Sequence, residues 1–84
     1  MSYARFSYAD VYVYLDINGY LNCCGCILRD NDKNVQTAFK TTKDIISHLE
    51  LHIAAGHHVP DSTIHDLNTD ALENDAWIAS IHLG

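Results

Sequence analysis

FKTTKDIISHLELHIAAG, residues 39–56, carries the start, the buried face and the stop of one amphipathic helix. Ile45, Ile46, Leu49 and Ile53 recur at helical spacing and lead into Ala54 and Ala55, which predicts a helix over about 42–55. Thr41 and Thr42 are candidate N-caps, and Asp44 suits the positive end of the helix dipole. Gly56 supplies a left-handed C-terminal stop. On this helix His48-x3-His52 places two imidazoles one turn apart on a single face.

The chain before this helix is rich in strand signals. Val11-Tyr12-Val13-Tyr14-Leu15-Asp16-Ile17 is dense in β-branched and aromatic residues and ends at Asn18-Gly19, a strong hairpin signal. Tyr20-Leu21-Asn22 begins a return strand that runs into Cys23-Cys24-Gly25-Cys26 and resumes as Ile27-Leu28-Arg29. After the polar cluster Asp30–Asn34, Val35-Gln36-Thr37-Ala38-Phe39 alternates as a half-buried strand does. Beyond Gly56, Val59-Pro60-Asp61 is an extended link plus a new N-cap. Ile64, Leu67, Ala71 and Leu72 then describe a second amphipathic helix to about Asn74. Trp77–Leu83 is an apolar tail that fits either a short strand or an extension of that helix. The expectation is an α+β domain over residues 1–84, with a three-stranded antiparallel sheet, a ββα core and a second, C-terminal helix.

Six histidines and three cysteines in 84 residues are the compositional anomaly. Three clustered cysteines make a poor disulfide framework, because the count is odd and such near neighbours pair only with strain. Zn²⁺ takes four sulfur or nitrogen ligands in a tetrahedron, and two thiols on a turn plus two histidines one helical turn apart supply them. Cys23, Cys26, His48 and His52 are the candidate ligands of one structural zinc. Gly25 is free to take the positive φ that lets backbone N–H groups approach the sulfurs. Two alternatives stay open: Cys24 with Cys26 as the thiol pair, and His57 in place of His52. Cys24 itself is expected to face away, since adjacent strand residues point to opposite faces. His58, His65 and His82 read as surface or interface residues.

Phe39-x5-Ile45-x2-His48-x3-His52 is the framing found where the helix of a two-Cys two-His zinc finger meets its small core, and residues 21–57 resemble that family. The resemblance implies that Phe39 and Ile45 pack beneath the metal and that His48 and His52 bind it from the buried face. The spacer departs from the pattern: 21 residues separate Cys26 from His48, where the family has about 12. The site is therefore expected inside a larger domain. A second resemblance covers nearly the whole chain. Gly19–Cys26, His48-Leu49 with His52, Ala55-Gly56-His57, Val59-Pro60 and Glu73–Trp77 are similar to a group of small actinobacterial phage proteins. It implies a setting, the cytoplasm of an infected bacterium, and no mechanism.

Charge narrows the function classes. Eleven acidic against five basic residues give a formal charge of −6. Arg5, Arg29, Lys33, Lys40 and Lys43 all precede Asp44, so residues 44–84 hold seven acidic residues and every histidine. Thr41, Asp44 and Ser47 match the finger family's base-reading positions, and none is basic. Binding to DNA, as a nucleic-acid regulator, is the alternative that this charge disfavours. An enzyme is not expected, because four good ligands close the site and the paired motifs of the zinc deaminases are absent. His48 and Glu50 stand in His-x-Glu order yet lie on different helix faces. The leading expectation is a zinc-stapled adaptor that binds a host protein or self-associates through the hairpin edge. Tyr3, Tyr8, Tyr12, Tyr14, Tyr20 and Trp77 offer aromatic interface surface or, equally, cover for the core. No stretch reaches the ~20 apolar residues of a membrane span and the start lacks an apolar signal region, so a cytoplasmic protein is expected.

Overall fold

A computed structural model describes residues 2–24, 26, 28–29 and 32–83. It is α+β, with four antiparallel strands in the order β1-β2-β3-β4, followed by helices. The strands are β1 (Ser2–Ala4), β2 (Tyr12–Leu15), β3 (Leu21–Cys24) and β4 (Ala38–Phe39). The expected three-stranded sheet thus gains a fourth strand. β1 is only three residues long, too short to show an alternating pattern. It is held by what lies below it: Ala4 is fully buried, and the Tyr3 hydroxyl sits between Asp70 Oδ2 (2.9 Å) and Asn74 Nδ2 (2.7 Å). β1 pairs with the edge of β2 that the hairpin would otherwise leave open.

The β2–β3 hairpin pairs Leu15 with Leu21 and Val13 with Cys23. Asp16 organises its turn, since Oδ1 accepts from the backbone N–H groups of Asn18 (2.9 Å) and Tyr20 (3.0 Å) while Oδ2 accepts from Asn22 Nδ2 (2.7 Å). Gly19 takes φ +82°, and a Cβ there would lie 3.1 Å from the His82 ring. Beyond Cys24 the expected strand does not resume. Ile27 and Gly25 lie outside the described residues, while Leu28 and Arg29 are in a helical turn, with the Arg29 N–H donating to the Cys26 carbonyl (3.1 Å). The expected strand over 35–39 shrinks to Ala38–Phe39, extended by one bond from Cys23 N–H to the Thr37 carbonyl (2.8 Å). Val35 is instead drawn into a turn through its N–H to the Asp32 carbonyl (3.1 Å).

Helix α1 (Thr42–Ala54) begins as its sequence requires: Thr41 is the N-cap, extended at φ −134° and ψ 150°, and its hydroxyl accepts from Asp44 N–H (3.2 Å). Thr42 gives both its N–H (2.8 Å) and its hydroxyl (2.9 Å) to Asp75, so a distant helix completes this cap. Ala55 and Gly56 (φ +88°) end it. The single C-terminal helix expected from the sequence is two, α2 (Asp61–Thr69) and α3 (Ala71–Leu83), separated at Asp70. Pro60 precedes α2 in the cap position and Asp61 is its first residue. The tail Trp77–Leu83 is helical. Because the break re-phases the chain, Leu72 turns out to solvent at 89% exposure, while Asn74 and Ile78 face inward. Leu21, Ile45, Leu49, Leu67 and Ile78, each at most 1% exposed, form the centre of the core. Among the described residues no helix is long and apolar enough to cross a membrane.

Candidate metal centre

Period-2 alternation on β3 turns Leu21 and Cys23 inward and leaves Cys24 exposed. Just past the strand, Cys26 is buried too, at 5% exposed, and its Sγ meets His48 and His52. On α1 the inward face carries Ile45, His48, Leu49 and His52, all buried. Sheet and helix therefore deliver two thiols and two imidazoles to one point. Among the described residues, Cys23, Cys26, His48 and His52 are the group whose ligand atoms all lie within 4.8 Å of one another.

The spacing inside the group tests whether a metal ion fits. Cys26 Sγ is 3.4 Å from His48 Nε2 and 3.3 Å from His52 Nε2, and Cys23 Sγ is 3.5 Å from His52 Nε2. The two Nε2 atoms are 3.2 Å apart. With Zn–S of about 2.3 Å and Zn–N of about 2.05 Å in a tetrahedron, sulfur and nitrogen on one ion lie about 3.5 Å apart and two nitrogens about 3.3 Å. The four side chains are placed to hold one metal ion, and the donor set is compatible with zinc. Phe39 packs on His48 with ring centroids 5.2 Å apart, and Ile45 is fully buried, as the finger-like framing implies.

Electrostatics agree with ligand duty. Burial lowers the His48 pKa, and it lowers that of His52 to about 4 with help from the nearby His48 and His57. Both rings are neutral near pH 7, the form that binds a metal. Burial, then the neighbouring Cys26, raises the Cys23 thiol far above its usual value, so loading the site must expel a proton from it. The histidine shifts set a pH dependence for the metal-free fold. The unfolded chain binds protons at about pH 6.5, where the native His52 does not, so stability rises with pH between about 4 and 6.5. The stability of chelated protein should fall by about 2 kcal/mol from pH 7 to pH 4.5 through His52 alone. A melting curve indifferent to pH over that range would contradict the buried, neutral histidine.

The alternatives left open by the sequence are resolved by geometry. Cys24 faces solvent on the outer side of the sheet and Cys23 takes the inner position. His57 does not replace His52: its Nδ1 lies 2.9 Å from His52 Nδ1, on the side of that ring away from the sulfurs. His58 and His65 are exposed. His82 differs from its expected surface role, because it is partly buried, with Nε2 2.9 Å from the Gly19 carbonyl and its ring 4.9 Å from Tyr20, pinning α3 to the hairpin turn. Neither this contact nor the role of Asp75 has a signal in the sequence. The first joins residues 63 apart and the second residues 33 apart, beyond any local pattern. No family model, curated protein or solved structure matches the chain. Its class is therefore defined by its own fold and site, an α+β protein with a finger-like Cys₂His₂ centre between sheet and helix.

Proposed function

We propose that Cys23, Cys26, His48 and His52 hold one zinc ion as a structural staple, and that the domain so closed is a protein-binding adaptor acting on a host protein. The observation that carries the first part is the convergence of two thiols and two imidazoles, all buried, with every ligand atom within 4.8 Å of the others and four of the pairs at 3.2–3.5 Å. All four coordination positions are filled by protein side chains, which favours a structural role over catalysis, since a catalytic zinc keeps a position open. Zinc, when bound, supplies folding free energy that a core of this size gains only in part from burial.

Surface chemistry supports a protein partner. Phe6, Tyr12 and Tyr14 form a chain of ring contacts, with centroids 5.7 and 5.8 Å apart, on the sheet surface turned from the core. Tyr8 and Trp77 are also exposed, whereas Tyr3 and Tyr20 are spent on internal contacts. Where a finger would read bases, Asp44 and Ser47 instead border a groove of about 500 Å³ with Val35, Gln36, Phe39 and Leu51, and no Lys or Arg lines it. The resemblance to phage proteins makes a host protein the natural target. The test pairs two assays on zinc-loaded protein. Duplex DNA and heparin should show no salt-dependent retention, while a host protein should be captured and then lost on Phe6→Ser with Tyr12→Ser. Salt-sensitive duplex binding would instead favour a nucleic-acid regulator.

A further inference from the structure

We infer that His57 is a positioning residue of the metal centre: its Nδ1 accepts the Nδ1–H of His52 and holds that ring in the tautomer and orientation that present Nε2 to the ion. This rests on the reading of His52 as a ligand. The helix end produces the contact. Gly56 N–H donates to the Ile53 carbonyl (3.0 Å) and His57 N–H to the His52 carbonyl (2.9 Å), the paired bonds of a Schellman stop, with Gly56 left-handed at φ +88°. In that motif the second residue past the cap folds back over the third residue from the helix end. Here those residues are His57 and His52, whose ring centroids lie 5.1 Å apart with the planes tilted by 49°. A hydrophobic pair is usual at this spot, and this chain places two imidazoles there.

The hydrogen bond has one workable direction. Two Nδ1 atoms 2.9 Å apart need one donor and one acceptor. A ring bound to metal through Nε2 carries its proton on Nδ1, so His52 donates and His57 accepts. His57 is in turn held by its neighbour, because His58 N–H donates to Asp10 Oδ2 (2.6 Å) and Asp10 N–H donates to the His58 carbonyl (2.9 Å), fastening this turn to the loop before β2. The imidazole of His57 thereby does for His52 what a carboxylate or carbonyl does for many metal-bound histidines.

Zinc competition titrations on the full chain test this, comparing wild type with His57→Leu and His57→Asn. Leu cannot accept a hydrogen bond, and His57→Leu should weaken zinc binding about 10–100-fold. Asn can place Oδ1 near the lost Nδ1, and His57→Asn should recover most of that loss. In zinc-loaded wild type, ¹⁵N NMR should find the His52 proton on Nδ1, a readout that stands even if His57→Leu folds poorly. Equal affinity for wild type and His57→Leu, or equal losses for Leu and Asn, would overturn the inference while leaving the zinc site intact, and an unprotonated His52 Nδ1 would overturn the reading of His52 as an Nε2 ligand with it. Wild-type protein that binds no zinc would overturn both.

Discussion

Cys26→Ala is expected to cost at least ~4 kcal/mol in the presence of zinc and to lower the melting temperature by about 20 °C or more, enough to unfold a large share of the chain at 37 °C. Cys26 Sγ stands 3.4 and 3.3 Å from the two Nε2 atoms, so its removal takes away one ligand and leaves the other three around a gap in the core. The effect follows from the way metal binding couples to folding: the unfolded chain has no such site, and what zinc gains on binding appears as stability of the fold. Cys24→Ala is the matched control. That thiol is exposed on the outer face of β3, and its loss should leave the melting curve within about 0.5 kcal/mol of wild type. Circular dichroism melts of the two variants with equimolar zinc check the contrast, and equal curves would contradict it.

Leu49→Ala should destabilise the protein by about 2–5 kcal/mol, whether or not zinc is present. Leu49 is fully buried between the two histidines of α1 and belongs to the core beneath the metal centre. Truncation removes its transfer free energy and leaves a cavity that the neighbouring Ile45 and Leu21 cannot close without moving. The same cavity should loosen His48 and His52, so zinc affinity falls together with stability. Leu51, two residues on, is 57% exposed, and Leu51→Ala should change stability by less than about 0.5 kcal/mol. Denaturant unfolding of the pair separates the two faces of the helix. Similar midpoints would mean that the face assignment is wrong.

The helix and its candidate ligands were legible in the sequence because every signal there is local. Thr41, the apolar positions from Ile45 to Ile53, and Gly56 lie within one short stretch, and His48 and His52 are fixed to one face by the helical repeat itself. Cys23 followed from strand alternation, which also turned Cys24 outward. What was hidden depends on long-range pairing. Strand β1 is recognisable only through Tyr3 meeting Asp70 and Asn74, about 70 residues away. The break at Asp70 is equally silent, since no Pro or Gly marks it and apolar residues continue on both sides. His57 lay between these cases. Its sequence neighbour Gly56 announced the stop, and the stop geometry already implied that the following residue folds back onto His52.

Metal content bears most directly on the account. Protein purified without chelator and measured by elemental analysis should hold one zinc per chain, and chelation should lower its melting temperature by about 20 °C or more, with zinc restoring it. Metal-free protein whose melting curve is unchanged by added zinc would contradict the central claim that Cys23, Cys26, His48 and His52 staple sheet to helix through an ion.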